Sequence, residues 1–180
     1  MKRRIILGIL AVIIFLFIFI NVRMNQSDPN VLLPQLVEIE QYVAFRNSRN
    51  PAISKADVAW HLDHVLKTIN RITEVLENSD PKVYEGSFNF TKMASLTAGF
   101  IPRGKVQSPP SVRPPAIIVT DDILKQLTES RKNIEKLKTL EATTNFNHPM
   151  FGMLNKAQTI RFLEVHTNHH LKIISDILRQ

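Results

Sequence analysis

The sequence predicts an all-α domain, a four-helix bundle with a long proline-rich crossover, that follows one N-terminal transmembrane helix. Three observations lead to this prediction. Four amphipathic segments repeat their apolar residues with a helical period, and no segment alternates convincingly as a half-buried strand would. Residues 5–22 carry no charge, and five of the ten prolines fall between residues 101 and 115.

The N-terminal segment, residues 1–24, is predicted to be an uncleaved membrane anchor. Its 18 uncharged residues would form a helix about 27 Å long, close to the thickness of the hydrocarbon core of a bilayer. A cleavable signal peptide would need a shorter apolar run followed by small residues, whereas this run ends in Phe19, Ile20 and Asn21.

The distribution of basic residues predicts the orientation of this anchor. Three basic residues precede the apolar run, and only Arg23 follows it closely. The positive-inside rule then leaves the N-terminus in the cytoplasm and the C-terminal domain on the other side of the membrane. In a Gram-negative bacterium the domain would lie in the periplasm. The absence of cysteine agrees with that location and excludes disulfides and cysteine-ligated metals.

The charge of the chain gives no indication of nucleic-acid binding. The formal net charge is +7, but residues 1–24 hold four basic residues and no acid, so that 19 basic and 16 acidic residues remain. A surplus of about three charges without a basic stripe is too small for a nucleic-acid surface. The roughly 150 residues after the anchor suffice for one domain with one core.

The first elements after the anchor are a tether and a helix. Residues 25–31 are polar and contain helix breakers, which predicts a short tether to a domain of residues 32–180. Proline is tolerated in a first helical turn, so the first helix of the domain is predicted over residues 34–47. Ser54 and Asp57 have the spacing of a capping box that would open the second helix.

The remaining elements are three helices and the arm. The second helix is predicted to end near residue 78, and residues 88–100 predict a shorter helix. Residues 101–115 are too rich in proline for regular structure. The next helix starts at Thr120, followed by two acids that suit a helix N-terminus, and Asn155 is a plausible cap for the last helix.

Five of the six histidines fall on two predicted helices, His61 and His64 on the second and His166, His169 and His170 on the last. His166 and His170 lie one turn apart within an apolar stripe, so both should face the core. Two imidazoles at this spacing can bind one ion such as Zn²⁺, and a third from the facing helix would leave coordination positions open for water. The sequence therefore predicts a three-histidine site for a divalent metal.

The residues alone leave open which histidine of the second helix joins this site. Angular position favours His61, about 40° from the centre of the apolar stripe, over His64, about 100° from it. Asp63 lies between them in the sequence and is expected to orient a histidine ring through a hydrogen bond.

Three further residues are candidates for the mouth of the site. Arg103 and Lys105 in the proline-rich arm are expected to contact an anionic substrate or, on a simpler interpretation, to form a solvated basic loop. His148 precedes Pro149 and is interpreted as the corner of a turn, with a fourth metal ligand or a proton shuttle as alternatives.

Four motifs resemble the DinB/YfiT-like superfamily and, within it, a family catalogued as a domain of unknown function. They are WHLDH at residues 60–64, IPRGK at 101–105, HPMFG at 148–152 and HTNHH at 166–170. The resemblance covers roughly residues 32–180, with the motifs in the same order. It implies a four-helix bundle that binds a divalent ion, often Zn²⁺ or Ni²⁺, through one histidine of the second helix and two of the last.

Carried over to this chain, the resemblance implies His64, His166 and His170 as ligands, with His61 and His169 as substitutes. The superfamily includes thiol-dependent S-transferases, a maleylpyruvate isomerase and hydrolases, and the resemblance does not choose among them. An extracytoplasmic location disfavours the thiol-dependent reactions, because the low-molecular-weight thiols of the superfamily are mainly cytoplasmic.

Two functions are expected from these observations. The first is a membrane-anchored, metal-dependent hydrolase or transferase that acts on a small molecule. The alternative is a non-catalytic bundle near the membrane, in which the metal is structural or absent and the domain binds a partner. The expected partners are the membrane, through the N-terminal helix, a small-molecule substrate and, as one option, a second copy of the chain.

Overall fold

The computed structural model describes residues 2–104 and 107–179, and the chain is mostly helical. Within those residues there are six α-helices and two β-strands. In chain order they are α1 (Lys2–Met24), α2 (Leu33–Tyr42), α3 (Val58–Glu77), α4 (Phe90–Ala98), α5 (Thr120–Thr139), β1 (Asn145–His148), β2 (Gly152–Asn155) and α6 (Lys156–Leu178). The helical character predicted from the sequence is confirmed.

Helices α2, α3, α5 and α6 pack around one hydrophobic core. Helix α3 packs against both α5 and α6, and its Leu62, Leu66 and Ile69 are fully buried. Their spacing of three and four residues is the helical period, which places them on one face. His61 contacts His170 and His64 contacts His166, which shows that α3 and α6 run in opposite directions.

Side-chain caps fix the starts of the two helices that carry the histidines. The Asp57 carboxylate accepts a hydrogen bond from the Trp60 amide at 2.9 Å, and the Asn155 side chain accepts one from the Gln158 amide at 2.9 Å. The predicted cap at Asn155 is therefore confirmed, while α3 begins three residues later than the proposed box at Ser54 implies. Asp57 itself satisfies the free amide of the first turn.

The segment between α5 and α6 differs from the prediction. It forms an antiparallel hairpin, in which Asn145 pairs with Asn155 and His148 with Gly152, where the sequence predicts only a loop. Its turn ends at Gly152, whose φ of 68° is in the left-handed region that favours glycine. Two strands of four residues are too short for a clear alternating pattern in the sequence.

The predicted arm and tether both lie against the helices. The described part of the arm is irregular apart from a 3₁₀ turn at Pro110–Val112, and Val112 is buried against α3. After α1 ends, the Gln26 amide donates a hydrogen bond to the Ala157 carbonyl at 3.1 Å, and Leu32 is fully buried. The exit of α1 therefore lies at the first turn of α6.

Helix α1 is uncharged from residue 5 to residue 22, and of its described residues only Met24, at its end, packs against the core. No residue in the most hydrophobic part of Arg3–Met24 is buried, and this helix is long and apolar enough to cross a membrane. Only its last turns contact the domain, through α4 and α6.

Candidate metal centre

The antiparallel packing of α3 and α6 brings three of the predicted ligands together. One ring nitrogen from each of His64, His166 and His170 lies within 4.8 Å of the other two. The three ring centroids are 4.6 to 5.1 Å apart. His166 and His170 converge because they are one helical turn apart, and His64 reaches them from the facing helix.

The spacing of these nitrogens is compatible with one metal ion. Zn²⁺ holds imidazole nitrogens at about 2 Å, which places the nitrogens of a tetrahedral site roughly 3.3 Å from one another. The upper limit of 4.8 Å in the structure is within the reach of small ring rotations. Imidazole also suits Ni²⁺ and other first-row ions, so the donor set alone does not select the metal.

His166 contributes an unsatisfied polar atom to this cluster. Its Nδ1 is buried and has no hydrogen-bond partner among the described residues, although the ring as a whole is only half-buried. A buried nitrogen without a partner is costly, and coordination to a cation would satisfy it. The donor set and this orphaned atom together fit a bound metal ion.

The ring of His64 is oriented by the proline-rich arm. Its Nδ1 lies 2.9 Å from the carbonyl oxygen of Val112. A carbonyl can only accept, so Nδ1 carries the proton and the lone pair of His64 is on Nε2. This is the arrangement in which an outer hydrogen bond fixes the tautomer of a metal-binding histidine.

His61 has a corresponding position behind His170. The Nδ1 atoms of the two rings are 2.9 Å apart, and Nε2 of His61 lies 3.0 Å from the Ser54 hydroxyl. If His170 donates from Nδ1, its Nε2 is free for a metal, His61 accepts, and the remaining N–H of His61 faces Ser54. The Ser54 oxygen also accepts from the Ala56 amide at 3.1 Å.

Burial keeps the histidines of the cluster neutral. Desolvation lowers the pKa of His64, with partial compensation from the bond to Val112, and it lowers those of His166 and His170 well below the usual value. Burial, together with the nearby histidines, lowers the pKa of His61 to about 4. Only the neutral ring can donate a lone pair, so these shifts favour the form that binds metals.

Two of the candidate residues have other contacts than those expected. Asp63, expected to orient a histidine, accepts hydrogen bonds from Lys67 at 2.7 Å and from Gln126 at 2.6 Å, so that each of its carboxylate oxygens is engaged. The orienting acceptor for His64 is the Val112 carbonyl instead. His169 is half-buried next to His170, outside the group of three convergent nitrogens.

The basic residue of the arm lies near the histidines. Arg103 forms an ion pair with Asp176 of α6 at 2.5 Å, and both side chains are partly exposed. Burial and then the positive charge of Arg103 lower the pKa of His169. Arg103 therefore adds positive potential beside the cluster. Lys105 lies outside the described residues.

His148 has the structural position that its place before Pro149 indicated. Its Nδ1 accepts hydrogen bonds from the amides of Met150 at 3.1 Å and Phe151 at 3.2 Å, which closes the turn of the hairpin. Its ring stacks on Phe151 with a centroid separation of 4.5 Å. Burial lowers its pKa to about 4. Phe162 lies between the rings of His148 and His166.

Trp60, Ser54 and the Val112 carbonyl were not assigned to the metal site from the sequence, in which Ser54 was interpreted as a helix cap and Trp60 only as part of a motif. The Trp60 ring stacks on His64 with a centroid separation of 4.9 Å and an interplanar angle of 27°. Its position four residues before His64 on one helix was a usable signal. Nothing in the sequence indicated Val112, because it contributes a backbone atom from a distant irregular segment.

Comparison with known proteins assigns a family without an activity. Residues 51–176 match the family model described as "Protein of unknown function (DUF1569)". The matched segment contains α3 and nearly all of α6, with all of the histidines described above, and it excludes α1. No curated protein and no solved structure is significantly similar to the chain.

Proposed function

The chain belongs to the DUF1569 family of proteins of unknown function, and we propose that it is a membrane-anchored, metal-dependent enzyme of the DinB/YfiT-like type. In this proposal, His64, His166 and His170 bind one divalent ion, Zn²⁺ or Ni²⁺. The reaction is a hydrolysis or a group transfer on a small molecule, outside the cytoplasm.

The observation that carries the proposal is the convergence of three ring nitrogens, one from each histidine, within 4.8 Å of one another. One of these histidines, His166, also has a buried Nδ1 without a hydrogen-bond partner among the described residues. Three neutral imidazoles without a ligand would be a costly arrangement for the interior of a small domain. A divalent cation satisfies all three lone pairs at once. The ligand set also agrees with the one that the sequence resemblance implies.

The helix arrangement supports a four-helix bundle of the DinB/YfiT-like type. Helices α2, α3, α5 and α6 share one core, and the proposed ligands come from the second and last of them. Bundle cores are common positions for metal sites, because side chains from facing helices are held at fixed separations. The long arm between α4 and α5 then corresponds to the crossover.

The surroundings of the site favour catalysis over a purely structural ion. His166 is partly exposed whereas His64 and His170 are buried, so a substrate would approach the ion from the side of His166. A divalent ion with open positions can lower the pKa of a bound water or polarise a carbonyl. The chain itself orients His64 through Val112 and His170 through His61, and Trp60 covers one face of His64. Arg103, which is partly exposed and paired with Asp176, would contact an anionic substrate group by exchanging that partner.

The anchoring part of the proposal is supported by the composition and the exposure of α1. Its apolar surface has no partner in the described part of the chain beyond the last turns, which is unfavourable in water and favourable in a bilayer. The basic residues before it predict an N-terminus in the cytoplasm and a domain outside.

A structural role for the metal is the second candidate. His64 and His170 are buried and come from different helices, so an ion between them would tie α3 to α6. A closed site of this kind would have no free coordination position. The domain would then act as a binding module near the membrane.

Metal analysis tests the proposed ligand set. The full chain is purified in detergent, stripped with a chelator, reloaded with Zn²⁺ or Ni²⁺, and its metal content measured. We expect about one ion per chain for the wild type and for His169→Ala, the matched control on the same helix. His166→Ala should lose the ion. Equal metal content in His166→Ala and the wild type would contradict the proposal.

A spectroscopic measurement distinguishes the two roles. The stripped protein is loaded with Co²⁺, whose visible absorption reports its coordination, and titrated with azide as a small anionic ligand. A change in the absorption bands indicates an open position and supports the enzyme. Bands that do not respond to azide indicate a closed site and favour the structural role.

A further inference from the structure

Helix α4 has an apolar face that is turned away from the domain. Phe90, Ala94 and Ala98 are spaced by four residues and are all exposed, with Phe90 at 68 %. Two more phenylalanines flank the helix, Phe88 at 82 % and Phe100 at 60 % exposed. These five residues are called the outer face of α4.

The opposite side of α4 packs on the domain through Leu96, which is fully buried, and it also buries a charged side chain. Lys92 is only 3 % exposed, and its ammonium group donates hydrogen bonds to the carbonyls of Ser87 at 3.0 Å and Met153 at 3.3 Å. Burying a charged lysine is costly, and exposing three phenylalanines to water forgoes the gain from burying them. The distribution of residues is thus partly reversed, with a lysine inside and phenylalanines outside, as expected for a helix whose outer face meets an apolar environment.

The outer face is continuous with the end of α1. Phe19, Ile20 and Arg23 of α1 line a cleft of about 540 Å³ together with residues of α4 that include Phe90 and Met93. The Arg23 side chain also donates a hydrogen bond to the Thr97 carbonyl of α4 at 3.4 Å. Helix α4 therefore lies beside the last turns of the apolar helix, at the level where α1 would leave a bilayer.

The depth of this contact matches that of a helix in the membrane interface. The contact extends from Phe19 to Arg23, which is about 6 Å along the axis of α1. Interfacial helices sink their apolar face roughly 5–10 Å into the boundary between headgroups and acyl chains. Aromatic residues are favoured at this level of the membrane.

We propose that the outer face of α4 binds the lipid surface next to α1 and holds the domain against the bilayer. The partner is the boundary between lipid headgroups and acyl chains. This inference rests on the proposed anchoring by α1 and adds a second, peripheral contact. It gives the domain a fixed orientation, because a single helix followed by a short connection would leave the domain free to tilt.

The other end of the domain supplies an internal control. Ile117 is 79 % exposed and lies just before the start of α5. At the other end of α5, the Leu140 carbonyl accepts a hydrogen bond from Lys156, at the start of α6. The start of α6 also contacts Gln26, directly after α1. The 20 residues of α5 therefore separate Ile117 from the exit of α1 by about 30 Å.

The absence of cysteine allows a test with single labels. The variants Phe88→Cys, Phe100→Cys, Phe15→Cys and Ile117→Cys of the full chain are labelled with a polarity-sensitive fluorophore. They are reconstituted into phosphatidylcholine–phosphatidylglycerol vesicles with and without nitroxide-bearing acyl chains. We expect strong quenching of the label at Phe15, clear quenching at Phe88 and Phe100, and none at Ile117.

The outcomes separate this inference from the anchoring on which it rests. Quenching at Phe15 without quenching at Phe88 and Phe100 would overturn the contact of α4 with lipid and leave the anchor intact. No quenching at Phe15 would show that the anchoring itself fails. Labels at Phe88 and Phe100 that are shielded from water but not quenched by nitroxide lipids would indicate a protein partner or a second copy, and would also overturn the inference.

Discussion

The junction of α3 and α6 and the outer face of α4 both depart from the usual distribution of residues, in opposite directions. At the junction, polar imidazoles such as His64 and His170 are buried. On α4, Phe88 and Phe90 are exposed, while Lys92 is buried. In a soluble protein, buried polar groups find partners and large apolar side chains are mostly covered.

The buried imidazoles and the exposed phenylalanines require different partners. In the histidine cluster, Nδ1 of His64 and Nδ1 of His170 have partners within the chain, whereas the buried Nδ1 of His166 has none among the described residues and points to a small ligand inside the domain. The phenylalanines of α4 lack an apolar environment outside the domain. One region therefore indicates a cation within the fold, and the other indicates a surface against which the fold rests.

The largest expected effect is stabilisation of the histidine junction by metal. A ligand at 1,000 times its dissociation constant stabilises the native state by about 4 kcal/mol, so excess Zn²⁺ should raise the Tm of the stripped full chain by roughly 10 °C. Thermal unfolding followed by circular dichroism in detergent measures this shift. His166→Ala should abolish it, while His169→Ala should retain it. An equal shift in both variants would attribute the stabilisation to other sites.

The second effect concerns the residue behind His170. His61→Ala removes the ring whose Nδ1 lies 2.9 Å from Nδ1 of His170 and would accept its proton when His170 binds metal through Nε2. Loss of such an outer partner typically weakens metal binding about 10–100-fold. His61→Gln keeps an acceptor and should restore part of the affinity. Competition with a chromophoric chelator measures both. Identical affinities of His61→Ala and His61→Gln would show that the hydrogen bond has no role in orienting the ligand.

The smallest effect concerns the attachment of α4. Gly99 and Gly104 both have positive φ, of 67° and 70°. An added Cβ at Gly99 would lie 2.9 Å from the Arg161 side chain, whereas at Gly104 no atom of the described residues would lie within 4 Å. Gly104→Ala should cost about 1 kcal/mol from backbone strain alone. Gly99→Ala should cost more, because it also displaces Arg161 from its bond to the Leu96 carbonyl.

Denaturant unfolding of the two glycine variants compares these costs. A larger loss for Gly99→Ala would confirm that Arg161 helps to hold α4 with its outer face turned away from the core. Equal losses would mean that Arg161 rearranges without penalty. The orientation of α4 would then depend on its other contacts, among which are the two bonds from Lys92.

Most helices could be predicted from the sequence because helix formation depends on local periodicity. The stripe of Leu62, Leu66 and Ile69 and the cap at Asn155 are local signals, and both are present in the structure. The hairpin at residues 145–155 was not predicted, since its pairing depends on hydrogen bonds between two very short strands.

The sequence by itself determined the apolar N-terminal helix, the start of α6 and the proximity of His166 to His170, which follows from one turn of helix. Only the tertiary structure decided that His64 joins them and that His61 lies behind His170. Whether His61 or His64 faces His166 and His170 depends on how α3 is rotated about its axis relative to α6. Angular position on a single ideal helix favoured His61, because it does not include that rotation.

The orientation of the histidines and of α4 was likewise decided by tertiary structure. Val112 acts through a backbone carbonyl 48 residues from His64, and Asp63, the neighbour expected to do so, is engaged by Lys67 and Gln126. On the buried side of α4, Lys92 donates hydrogen bonds to the carbonyl of Ser87, just before the helix, and to that of Met153 in the hairpin. Local sequence specifies helices and their periods, whereas the pairing of polar atoms depends on where separate segments meet in space.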